Sequence, residues 1–143
     1  DPGTSLHDVL GRTVGTVTAA GADPDDEHHA RARARLAGLL DDRGWHVSAQ
    51  APASEAAVAA LATIYRLGLE NLDGLADVYA SVAEQVAEAD LGSVVQVADR
   101  DLRVQTALVG TVVGDALFAA LRRMAQEHTS AKHFPPAQDQ EQR

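Results

Sequence analysis

The side chains able to do chemistry in this chain are few and scattered. Asp25-Asp26-Glu27-His28-His29 offers oxygen and imidazole ligands of the kind that hold a divalent metal. On a helix, however, only Asp25 with His28 or His29, or Asp26 with His29, share a face. The same residues make an ordinary solvated, acid-rich helix start, so no metal site is assigned. His128 and His133 are read in the same way. The doubled Glu-x-x-His motif of di-iron bundles is absent, because Glu27 is followed three places on by Ala30 and Glu127 by Ser130. Ser and Thr occur at helix caps, without a Gly-x-Ser-x-Gly elbow, and no Gly-rich phosphate loop is present. There is no cysteine, which excludes disulfides, thiolate metal sites and Cys nucleophiles. No catalytic residue, metal or cofactor is expected, and the chain reads as a non-enzyme.

What remains are residues suited to contact. Trp45, the only indole, is followed by His46 just beyond a helix end. It either seals the end of a bundle or stacks as a lid over an apolar ligand. Tyr65 and Tyr79 fall on a helical seam, as core residues or as phenols offered to a ligand. Gly110 and Gly114 lie one helical turn apart, with Thr106 one turn further back. Three small residues on one face allow either a second helix or a ligand to approach the backbone. Arg31, Arg33 and Arg35 alternate around a helix and form no single stripe.

These residues must be positioned by helices. Of the 143 residues, 45% are apolar but only five are aromatic. A core of Ala, Val and Leu suits closely packed helices better than stacked sheets. Thr4 or Ser5 can cap a first helix with Leu6, Val9, Leu10, Val14 and Val17 on one side. Asp23-Pro24, followed by acids, starts a second helix that ends at Gly44, a left-handed cap. Trp45 to Pro52 reads as a loop, and Ser54 opens the third helix. From Val58, positions 58, 61, 65, 68, 72, 75, 79, 82, 86 and 89 keep 3-4 spacing. Gly68, Asn71 and Gly74 predict a kink or short turn near residues 68–73. The next helix ends between Gly92 and Asp99, and Asp99 caps a final long helix with Asp101 in its first turn. From Ala107 to Leu121 that helix is apolar almost all round, which predicts a central helix covered on most sides. The expected architecture is all-α: an antiparallel bundle of about five helices, the last long and central. It forms one domain over residues 1–134, followed by a flexible tail at 135–143.

The net charge of −9 with 12 basic residues argues against nucleic-acid contact, which needs clustered Lys and Arg. No apolar run is read as reaching transmembrane length and no signal pattern opens the chain. A cytoplasmic location without membrane contact is expected.

Two stretches, Arg35-to-Ser48 (RLAGLLDDRGWHVS) and Val109-to-Phe134 (VGTVVGDALFAALRRMAQEHTSAKHF), resemble the C-terminal region of MerR-type regulators of high-GC bacteria. The resemblance implies the regulatory part of a transcription factor, an effector-binding and dimerisation domain that works as a homodimer. Promoter DNA would be touched only through an N-terminal winged helix-turn-helix that this sequence lacks. Metal-sensing members of the family rely on cysteines, so an organic effector is expected here. It would enter between helices and touch Trp45, His46, Tyr65, Tyr79 and the Gly110–Gly114 face. The pairing helix would correspond to Ser5–Ala20, with Leu6, Leu10, Val14 and Val17 at the contact, or the exposed side of the seam would serve instead. The alternative is a ligand-free helical protein-interaction module.

Overall fold

The computed structural model describes residues 26–134. Among them the chain is helical and contains no strand: α1 (Glu27–Arg43), α2 (Pro52–Arg66), a 3-10 turn (Glu70–Leu72), α3 (Leu75–Val95) and α4 (Arg100–His133). The expected helix over 5–20, with Leu6, Leu10, Val14 and Val17, lies outside the described residues, as does the 135–143 tail. The chain divides into two compact units, the first ending at Val82 and the second starting at Ala83.

Each helix boundary has a local cause. Asp26 adopts an extended conformation and its side chain accepts the His29 N–H at 2.7 Å, which satisfies one of the free donors of the first turn. The cap is therefore Asp26, three residues later than the expected Asp23. At the other end Gly44 takes the left-handed conformation (φ 66°), as its position predicts. The Gly44 N–H donates to Asp41 and the Trp45 N–H to Leu40, a pairing that closes the last carbonyls of α1. α2 repeats this device. Gly68 (φ 68°) donates to Tyr65, and Leu69 to Ile64.

α2 starts at Pro52 rather than Ser54. Pro has no N–H to lose in a first turn, and Ser54 is instead buried, its hydroxyl donating to the Ser48 carbonyl at 2.8 Å. The expected break near 68–73 is present as the 3-10 turn, and α3 ends at Val95, inside the expected window.

The core of the first unit is small and fine-grained. Ala32, Val58, Leu61, Ala62 and Tyr65 form one buried cluster, with Leu36, Ile64 and Ala76 packed against it. Ala32 and Ala62 have no exposed surface at all, so α1 and α2 approach closely. Positions 58, 61 and 65 of the expected seam are buried, but the seam does not continue in register. After the turn the inward positions are Ala76 and Ala80, whereas Leu75, Tyr79 and Val82 are exposed. The non-helical residues 67–74 reset the phase of the helix, so a spacing counted through them shifts by one position.

α4 is capped as expected. Asp99 accepts the Leu102 N–H at 2.9 Å, and Asp101 lies in the first turn. It is long, but it is not the central covered helix that its composition predicts: none of its residues is buried. Ten large apolar side chains on it, from Leu102 to Met124, are exposed. It is also long and apolar enough to cross a membrane by length and composition. The sequence reading expects no apolar run of that length; Thr111 and Asp115 interrupt the apolar residues without making the helix polar. Composition states that such a helix must be covered. It does not state by what.

Leu61→Ala should lower unfolding free energy by about 2–4 kcal/mol, the usual cost of a cavity at a buried Leu. Leu108→Ala, at a side chain 68% exposed, should change it by less than about 0.5 kcal/mol. Urea titrations followed by circular dichroism measure both.

Candidate functional site: a groove beside Trp45

The loop between α1 and α2 is short and tightly held. The Ser48 carbonyl accepts the Ala51 N–H at 3.0 Å and the Ser54 hydroxyl, while the Ser48 hydroxyl oxygen accepts the Gln50 N–H at 3.2 Å. With the loop fixed at Ser48 and at the Gly44 cap, Trp45 is set beside the last turn of α1. There it is partly buried and forms one wall of an open groove of about 670 Å³.

Leu36, Ala37 and Leu40 line the groove from α1, Val47 from the loop and Val58 from α2. Arg33, Asp41, Gln50 and Glu55 supply its polar lining. A mostly apolar concavity with an indole wall and a few charged groups is the usual form of a small-molecule site. Nothing in it is arranged as a nucleophile with a base, so the groove is suited to binding.

A second constellation ties α1 to the 3-10 turn and α3. The Tyr65 hydroxyl donates to Asp73 Oδ1, and Arg35 reaches Asp73 Oδ2 at 2.8 Å and Asp77 at 2.5 Å. Arg43 donates to the Asp77 carbonyl (2.9 Å) and the Ser81 hydroxyl (2.7 Å). Arg31 pairs with Glu70 at 3.4 Å and lies 4.0 Å over the Tyr65 ring, a cation–π contact. The Tyr65 hydrogen bond, with help from Arg35, holds the Asp73 carboxyl below the usual range. Burial and the Asp73 carboxylate push Tyr65 up to about 12, and the Asp73 hydrogen bond raises Arg35. Tyr65 and Asp73 are thus both driven away from neutral pH, the opposite of what proton transfer requires. The network fixes helices.

The expected site residues disperse. Trp45 lines the groove; His46 is exposed. Tyr65 is buried in the core and the network, not in the groove lining. Tyr79, placed on the seam, is 47% exposed because of the phase shift after the turn. Gly110 and Gly114 belong to the second unit, and a Cβ at either would meet nothing within 4 Å. Within the described residues they are neither a helix contact nor a pocket wall. His29, read as part of a solvated helix start, is buried, and its Nδ1 has no hydrogen-bond partner among the described residues. No cluster of three metal-ligating side chains occurs among the described residues.

Asp73 and Asp77 were not singled out from the sequence, and Arg35 was read only as one of three arginines without a common stripe, although a signal was there. Arg31 and Arg35 are four apart and share a face, as do Asp73 and Asp77. Arg33 falls on the groove side, so the alternating arginines divide into two functions. No protein-family model matches this chain, and no curated protein or solved structure matches it.

The shifted groups imply a pH dependence at both ends. Folding raises the Tyr65 pKa, so its contribution is complete below about pH 10 and lost as pH rises toward 12. Folding lowers that of Asp73, so its contribution is present above the ordinary carboxylate pKa and lost as pH falls below it. Tyr65→Phe should flatten the alkaline loss, worth on the order of 2 kcal/mol in the native chain. Asp73→Asn should flatten the acid limb. Urea midpoints measured across pH for the three proteins check this.

Proposed function

We propose that this chain is the effector-sensing and dimerisation domain of a MerR-like transcriptional regulator, cytoplasmic and without enzymatic activity. A small apolar or aromatic organic compound would bind in the groove beside Trp45. The observation that carries this reading is the groove itself, an apolar concavity walled by the only tryptophan and floored by two packed helices. The resemblance of Arg35–Ser48 to MerR-type regulators supports it, since that stretch supplies Leu36, Leu40 and Trp45 of the lining. The ligand would touch Trp45, Leu36, Leu40 and Val58, with Arg33 or Glu55 orienting a polar group. This reading uses neither Tyr65 nor Tyr79. Promoter contact would belong to a DNA-binding domain outside these 143 residues, in keeping with a net charge of −9. A ligand acts as a switch only if it binds one arrangement of the dimer better than another.

The second reading, a ligand-free interaction module, is favoured by α4, whose apolar surface is not covered by any of the described residues.

Trp45 provides its own reporter. A panel of small aromatic compounds should include members that saturably change Trp45 fluorescence and raise the melting temperature by several degrees, because binding only the folded state stabilises it. Leu36→Gln should weaken such a compound by at least about tenfold, the effect of losing one good apolar contact. A broad panel that moves neither signal would favour the second reading.

A further inference from the structure

The groove beside Trp45 carries opposite charges at its two ends. Arg31 lies over the Tyr65 ring and Arg66 pairs with Asp26. The end of α2 therefore meets the start of α1, and the two helices run antiparallel. Asp41, in the last turn of α1, and Glu55, in the first turn of α2, consequently share the loop end of the groove with Trp45. Arg33 lines the same groove eight residues before Asp41, on the order of 12 Å back along the helix axis. Between the two ends the lining is apolar, with Leu36 and Leu40 from α1 and Val58 from α2.

These three charges are unpaired. On the same helix, Arg31 and Arg35 are matched by Glu70, Asp73 and Asp77. The side chains of Arg33, Asp41 and Glu55 make no hydrogen bond or ion pair with any described residue. The helix dipoles do not alter the pattern. α1 ends and α2 begins at this loop, so their opposite partial charges offset each other and the side chains set the sign.

We propose that the groove takes an elongated amphoteric molecule, with an ammonium group at the Trp45 end, an apolar or aromatic middle and a carboxylate at the Arg33 end. The argument is charge complementarity. An ammonium at the loop end meets two carboxylates and the face of an indole. A carboxylate at the other end meets a guanidinium able to give it two parallel hydrogen bonds. A neutral compound would fill the middle but shield three charges from water without replacing what they lose. A ligand with a single charge would satisfy one end and leave the other unmatched. The proposal rests on the groove being a ligand site, as read above, and adds the charge pattern of what enters it.

The test uses the whole chain and four compounds built on one biphenyl body, titrated by Trp45 fluorescence. The first carries an aminomethyl group at one end and a carboxylate at the other. The second has only the amine, the third only the carboxylate, and the fourth a neutral hydroxymethyl group at each end. The amphoteric compound should bind at least about threefold tighter than either singly charged one and about tenfold tighter than the neutral one, the few-fold effect of each partly exposed charge pair. Added salt should shrink that advantage. Glu55→Gln should weaken the two amine-bearing compounds about threefold and spare the carboxylate-only compound, and Arg33→Gln should do the reverse. Both side chains are exposed, so both variants keep the fold. Affinities of the amphoteric and neutral compounds within about twofold of each other overturn the assignment of charge and leave the groove as a site for neutral ligands. An equal loss for all four compounds in either variant also overturns it. So does silence from all four, and the broad aromatic panel then judges the groove separately.

Discussion

The first unit depends on how closely α1 and α2 approach. Ala32 and Ala62 sit in the buried cluster with no exposed surface, and their single methyl groups let two helix backbones come together without a thick layer of large side chains. A core this fine-grained tolerates little change in volume. Its effects reach the groove, because Leu36 and Val58, which line it, follow Ala32 and precede Ala62 by one helical turn. The depth of the groove is thereby coupled to the helix separation.

Asp73 performs the second structural task, joining the helix pair to the segment after the turn. Its carboxylate receives both the Tyr65 hydroxyl and the Arg35 guanidinium, so one charge is neutralised by two groups from two helices. A short polar turn would otherwise have only a few main-chain hydrogen bonds to fix it. Charge-assisted bonds of this type are stronger than neutral ones, and these are partly shielded, with the Arg35 side chain 22% exposed. The result is a fixed entry angle for α3. The Arg43 contacts to Asp77 and Ser81 hold it further along.

The second unit has the opposite character. Its long helix is well capped and internally bonded, yet among the described residues no tertiary contact buries any part of it. Isolated helices are marginal in water and gain most of their stability from packing an apolar face.

The helix ends were readable in the residues because each is caused within a few positions. Gly44 must be left-handed to close α1, Asp99 must accept a first-turn N–H, and glycines near 68 must interrupt the run. The all-helical class followed from the same local periodicity and from a core limited to small apolar side chains. What could not be read was everything that depends on phase across a break or on distance in space. The turn at 67–74 moved the inward positions from Leu75 and Tyr79 to Ala76 and Ala80, and it left Tyr79 47% exposed. Trp45 lines a groove with Leu36 and Val58, which the fold of the loop, not sequence spacing, brought to it. Apolar residues on α4 recorded a need for burial, but burial is a relation between surfaces, and one chain's sequence holds only one of them.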